Sequence, residues 1–163
     1  MKPLRPMLFA VVALLLASAL SARAGDTDLL IGAGRLNLRH SPGIAYGSVE
    51  AAHLWGDSRY WGFWGAADLS DSADWVGGGL FATWPFAERW SLTISSGPGW
   101  YSEPNKLKLG STLEFRSTAY LAYRWSRYGA GISVSHYSNA GTASYNPGTE
   151  SVRLLFSIRL GKR

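Results

Sequence analysis

Ser151-Val152-Arg153-Leu154-Leu155-Phe156-Ser157-Ile158-Arg159-Leu160 is the stretch that decides the fold. Its even positions are all apolar, and its odd positions are Ser, Arg, Leu, Ser and Arg. A period of two over ten residues is the mark of a β-strand with one apolar and one polar face. The pattern recurs upstream. Tyr128–Ser138 places Ala130, Ile132 and Val134 on one face and Gly129, Gly131, Ser133 and Ser135 on the other. Leu109–Trp125 sets Leu113, Phe115, Ala119, Leu121, Tyr123 and Trp125 against Glu114, Arg116, Thr118 and Arg124. Weaker alternation marks Leu29–Arg39, Ile44–Trp55, Tyr60–Leu69, Asp74–Phe86 and Trp90–Ser96. The reading is an all-β chain of eight antiparallel strands, and no stretch shows a convincing helical period.

A soluble barrel would turn its apolar side chains inward. Here the second face is rich in glycine, serine and charge, which suits a small polar lumen surrounded by lipid. Trp55, Tyr60, Trp61, Trp84, Trp90, Trp125 and Tyr128 gather at strand ends, where interfacial aromatic girdles sit. A spanning β-strand needs about 9–11 residues. The expected fold is therefore an eight-stranded transmembrane β-barrel of outer-membrane type. Gly56-Asp57-Ser58-Arg59, Ala87-Glu88-Arg89 and Ser126-Arg127 are short connections, whereas 97–108 and 139–149 are long. By the usual asymmetry the short turns face the periplasm and the long loops face outward.

The longest apolar run, Met7–Leu20, follows Lys2 and Arg5 and precedes Ala22-Arg23-Ala24. Basic start, short apolar middle and A-x-A site predict a signal peptide over residues 1–24, leaving 25–163 as one barrel domain. Removing it takes away three cations and no acid, so most of the net charge of +5 goes with the leader. Little basic excess survives to argue for nucleic acid. The absence of cysteine excludes disulfides and thiolate metal sites, and 17% charged residues with 13% aromatic residues excludes a disordered chain.

Chemistry concentrates in His136-Tyr137-Ser138-Asn139-Ala140-Gly141 and the following Asn146-Pro147-Gly148-Thr149-Glu150. His136 and Ser138, two apart on one strand, share a face. Glu150 opens the next antiparallel strand and pairs back beside them. Parity puts all three with Ile132, Val134, Val152, Leu154 and Phe156, on the lipid-facing side. A carboxylate, an imidazole and a hydroxyl are costly there unless they satisfy one another. Joined as Glu150–His136–Ser138 they would form an orienting acid, a base and a nucleophile. Spacing and parity alone leave open the alternative of ordinary interfacial side chains wetted by headgroups.

The wording of the motif goes further. HYSNAG followed by NPG-x-E, behind a leader and inside an eight-strand pattern, resembles the lipid A 3-O-deacylases (the PagL family) over about Ser135–Val152. The resemblance implies an outer-membrane serine esterase that removes the acyl chain ester-linked at position 3 of lipid A. It implies His136 as base, Ser138 as nucleophile and Glu150 as third member. It also maps an oxyanion hole onto the Gly141 amide and the Asn146 side chain. Asn139 and Ala140 belong to the motif without an assigned role. The implied partner is lipid A or lipopolysaccharide in the outer leaflet of a Gram-negative outer membrane, with no cofactor, metal or nucleic acid; a homodimer stays open.

Other candidates are weaker. Asp68, Asp71 and Asp74 lack the glycine-bearing pattern of a calcium loop and read as a solvated outer loop. His40, after Arg39, reads as loop, and His53 as interfacial. Gly77-Gly78-Gly79 has no helix behind it to cradle phosphate and reads as closely packed wall. The chain ends Leu160-Gly161-Lys162-Arg163 rather than on an aromatic residue, a departure that bears on barrel assembly and not on the chemistry. Two rival functions remain at this level: a non-catalytic structural or adhesive barrel, and an outer-membrane phospholipase.

Overall fold

The computed structural model describes residues 27–38, 43–55, 58, 60–102 and 104–160. The leader reading of residues 1–24, Arg39, His40 and the terminal 161–163 lie outside them. The described residues form β1 (Thr27–Leu36), β2 (Ile44–Leu54), β3 (Trp61–Leu69), β4 (Trp75–Pro85), β5 (Trp90–Tyr101), β6 (Leu113–Trp125), β7 (Tyr128–Ser138) and β8 (Thr149–Leu160). Each strand pairs antiparallel with its sequence neighbours, and β8 pairs with β1 to close the barrel. Closure leaves no strand edge unpaired, as a hydrocarbon surrounding demands.

The alternation in the sequence becomes an outside and an inside. Ile132, Val134, Leu154 and Phe156 are exposed on the outer surface, as are Ile31, Phe63, Leu80, Leu92 and Ile94. Ser133, Ser135, Ser151, Arg153 and Ser157 are buried within. Trp55, Tyr60, Trp61, Trp84, Trp90, Trp125 and Tyr128 are all exposed at the short-turn end, making the expected girdle. Neighbouring rings in it touch, as Trp61 with Trp84 and Trp90 with Tyr123.

Inside, charges satisfy one another. Arg116 reaches Glu50 at 2.6 Å and Asp68 at 2.8 Å, and Arg153 reaches the same two carboxylates at 3.7 and 3.3 Å. Arg116 also lies over the Trp64 and Trp75 rings, 4.2 and 4.9 Å from their centroids. Nearer the short-turn end, Asp28 takes Arg124 at 2.5 Å and Arg159 at 3.2 Å. The inward orientation expected of Glu114, Arg116, Arg153 and Arg159 holds. Asp68 departs from expectation: it is buried on the inner face of β3 and not part of a solvated loop. Its partners lie on β6, β7 and β8, too far along the chain for spacing to show them.

The lumen is unevenly filled. At the long-loop end Leu36, Tyr46, Trp64, Trp75, Tyr101 and Tyr137 pack with Leu107 and Leu109, which the β5–β6 loop folds back into the barrel. Toward the short turns a cavity of about 340 Å³ remains, lined in part by Asp28, Glu50, Tyr120, Arg124 and Arg159. Strand boundaries differ from the sequence reading by up to five residues, most of all on either side of the β5–β6 loop. β5 runs on past Ser96 to Tyr101, and β6 begins at Leu113 rather than Leu109. Gly97-Pro98-Gly99 hides the strand period, because glycine has no side chain to alternate and proline usually marks a strand's limit. Here Gly99, with its β4 register partner Gly77, makes room for a large ring. A Cβ on Gly99 would lie 2.3 Å from the Trp75 indole, and one on Gly77 2.6 Å from it.

Candidate functional site

β7 carries the site by strict alternation. His136 and Ser138 face outward while Tyr137 and Asn139 are buried inward. Inside, the Tyr137 hydroxyl donates to Asp68 at 2.8 Å and so ties the strand to the lumen charge network. Outside, His136 is the register partner of Glu150 on β8. Its Nδ1 lies 3.4 Å from Glu150 Oε1, with side-chain exposures of 51% and 22%. That spacing is an ion-pair distance, longer than a well-formed hydrogen bond of about 2.7–3.2 Å. Strand parity brings half-buried Ser138 to the same face; among the described residues it makes no hydrogen bond to His136. Catalytic hydrogen bonds are often long before substrate arrives.

Gly148 shapes the far side of the imidazole. It has a φ of +62°, and a Cβ there would stand 2.8 Å from Cε1 and 3.2 Å from Nε2 of His136. Glu150 therefore fixes the Nδ1 side of the ring while the bare backbone at 148 fixes the other. Gly148 is the glycine of NPG-x-E, and its spacing from Glu150 alone assigns it no part in the site. A glycine one residue before the β8 strand was the available signal.

Asn139, left without a role by the sequence, holds the whole 139–148 loop. Its Nδ2 donates to the Tyr145 carbonyl at 2.8 Å and the Leu109 carbonyl at 3.2 Å. Its Oδ1 accepts from the Gly141 amide at 3.0 Å, and its own amide donates to Asn146 Oδ1 at 3.1 Å. Its carbonyl accepts from both the amide and the hydroxyl of Thr142. Because Leu109 belongs to the loop plugging the lumen, Asn139 joins the two long loops. Ala140 follows with a φ of +53°, turning the chain sharply out of β7.

Both residues of the expected oxyanion hole thus contact Asn139. The Gly141 amide is engaged with Asn139 Oδ1, and Asn146 is anchored by its oxygen, leaving Nδ2 as its remaining donor. The other singled-out residues sit elsewhere. His53 is at the short-turn end, its Nδ1 2.7 Å from Thr27 Oγ1. Asp74 accepts from the Ser70 amide in the β3–β4 turn. No group of three or more metal-ligating side chains occurs among the described residues.

The outward polar row is longer than the trio. Glu150 pairs with His136, His136 with Ser117 on β6, and Ser117 with Ser96 on β5. The Ser96 and Ser117 hydroxyls share a hydrogen bond of 2.9 Å and are exposed on the lipid-facing surface. Neither serine stood out in the sequence, since a single serine on an apolar face carries no spacing signal.

A family model described as lipid A 3-O-deacylase (PagL) matches residues 38–159. No curated protein gives a significant match. Among solved structures, the chain superposes on the outer membrane enzyme PagL with a TM-score of 0.67 and 17% identity, covering 80% of this chain and 98% of that one. A de novo designed transmembrane β-barrel gives 0.58 at 12% identity, over 83% and 96% of the two chains. The Yersinia pestis outer membrane protein Ail in a phospholipid bilayer nanodisc gives 0.51 at 11% identity, over 82% and 99%. At these identities the superpositions speak for the fold alone.

Proposed function

The chain belongs to the lipid A 3-O-deacylase (PagL) family, and from that premise we propose that it hydrolyses the ester at position 3 of lipid A with Ser138, His136 and Glu150. The family is one of ester hydrolases acting on lipid A, and the barrel is a Gram-negative outer-membrane protein. The observation that carries the reading is the His136–Glu150 pair at 3.4 Å on the lipid-facing surface, with Ser138 on the same face. A lipid ester reaches such a site by lateral diffusion, without leaving the bilayer.

In this mechanism Ser138 Oγ attacks the ester carbonyl while His136 takes its proton. Glu150 orients the imidazole through Nδ1 and stabilises the imidazolium. The tetrahedral oxyanion is met by Asn146 Nδ2 and by the Gly141 amide, which exchanges Asn139 Oδ1 for the developing charge. Each such donor is worth about 3 kcal/mol. The bond between the acyl carbon and the sugar oxygen breaks, His136 protonates the departing sugar alkoxide, and the acyl chain remains on Ser138. Water, deprotonated by His136, then attacks the acyl-enzyme and releases a fatty acid.

The test is mass spectrometry of lipid A after incubation with the purified barrel. The expected product lacks one ester-linked chain, and chelation of calcium leaves the yield unchanged. Intact lipid A alongside cleaved glycerophospholipid would give the site to a phospholipase instead. Asn146→Ala is expected to lower kcat by about two orders of magnitude while the barrel stays folded.

A further inference from the structure

The short-turn half of the lumen is wide by composition. The interior of an eight-stranded barrel is just wide enough for side chains to fill, and the long-loop half is filled, by Trp64, Trp75, Tyr101 and Tyr137 among others. Toward the other end the inward positions carry Ala52, Thr83, Ser91, Thr93, Ala122 and Ser157, and the cavity of about 340 Å³ is the space these small side chains leave. That volume falls within the range of small-molecule pockets, about 300–1,000 Å³. Its rim lies at strand ends: Asp28 is the second residue of β1, Leu54 the last of β2, Pro85 the last of β4 and Arg159 the last but one of β8. With the aromatic plug behind it, the pocket is blind and faces the short turns, the periplasmic side.

Two charge clusters border this pocket, and only one is balanced. At the floor Glu50 and Asp68 meet Arg116 and Arg153, two carboxylates to two guanidiniums. At the mouth Asp28 alone meets both Arg124 and Arg159, which leaves one positive charge over. Arg124 gives Nη1 and Nη2 to Asp28. Arg159 gives only Nε, so its Nη1 and Nη2 have no partner among the described residues. These three side chains are only 22–27% exposed, so the excess charge is partly withdrawn from water and weakly screened by salt. Across the barrel from β8, β4 lines the pocket with Phe81 and Pro85, an apolar wall facing the cation.

We propose that this pocket binds a small monocarboxylate with an apolar body, taken up from the periplasmic side. The carboxylate lies against Nη1 and Nη2 of Arg159, whose planar fork matches two carboxylate oxygens. One negative charge completes the balance at the mouth. A second would be enclosed without a partner, and a cation would meet the excess already there. The body of the ligand rests on Phe81 and Pro85. The pocket is on the inner face, remote from Ser138, and the inference stands apart from the deacylase reading.

The test titrates 2-naphthoate into the full-length barrel in detergent micelles and follows the heat. Empty micelles are the blank, and 2-naphthamide, with the same rings and no charge, is the comparison. Saturable one-to-one binding of the naphthoate is expected, with the amide about tenfold weaker or more. Arg159→Gln leaves Asp28 paired with Arg124 and is expected to weaken naphthoate binding about tenfold. Ala122→Phe fills the pocket and is expected to abolish binding. Both variants are checked for folding by heat-modifiable gel migration. Heat no greater than that of empty micelles would mean that the pocket holds water only. Equal affinity for naphthoate and naphthamide would mean apolar uptake without a carboxylate site, and unchanged affinity in Arg159→Gln would put the ligand elsewhere. Any one of these three results overturns the inference.

Discussion

Two constraints meet at Gly148, and neither tolerates a side chain. Its φ of +62° strains any L-residue, and the space a Cβ would fill belongs to the His136 ring. Gly148→Ala is expected to push the imidazole off its line to Ser138 and lower kcat by about 10–100-fold. Gel mobility should still show a folded barrel. Gly141→Ala is the control: it too has a positive φ, but a Cβ there meets nothing within 4 Å and the amide is kept, so its loss should be several-fold smaller. Equal losses in the two variants would mean that backbone strain, and not the ring, is what glycine protects. The trio itself is expected to behave as one unit in lipid A turnover assays. Ser138→Ala and His136→Ala should each abolish deacylation, and the double variant should be no worse than either. Glu150→Ala should be milder, because it orients and charges the base without touching substrate.

At the scale of elements, β7 shows why half of the site could be read from sequence and half could not. His136 and Ser138 were legible because parity alone places them outward, and Glu150 because a hairpin returns it beside them. Tyr137 and Asn139 point inward by the same parity, but their work depends on partners at Asp68 and Leu109, which only closure of the barrel brings near. Asp68 was misread for that reason, its guanidinium partners lying on strands far along the chain. The strands are legible wherever side chains alternate, and only the end of β5 is lost, at Gly97-Pro98-Gly99, where none do. Asn139 gives the element-scale prediction. Asn139→Ala orphans the Leu109 and Tyr145 carbonyls and the Gly141 amide, each a loss of about 1–3 kcal/mol if buried unmet. Hydrogen exchange should quicken across 102–112 and 139–148, with strand amides still protected and deacylation reduced. Unchanged exchange in those loops would show that they hold together without it.

For the whole molecule, the lumen is what keeps the outer face in place. Lipid contributes no hydrophobic attraction between strands, so register at the long-loop end depends on what is gripped inside. Asp68 is the centre of that grip, accepting from Arg116 at 2.8 Å, Arg153 at 3.3 Å and the Tyr137 hydroxyl at 2.8 Å. It thereby joins β3 to β6, β7 and β8, and it holds β7 at the residue between His136 and Ser138. Asp68→Asn keeps the size of the side chain and removes its charge, leaving two fully enclosed guanidiniums to share Glu50. Breaking a buried pair in this way typically costs about 3–5 kcal/mol. The urea midpoint of the variant barrel should fall accordingly, with activity falling alongside it because His136 and Ser138 lose their backing. Ser138→Ala, acting on the exposed face of the same strand, should shift stability by no more than about 0.5 kcal/mol. An unchanged midpoint for Asp68→Asn would mean that strand pairing alone sets the register, and that the buried charges take no part in placing the site.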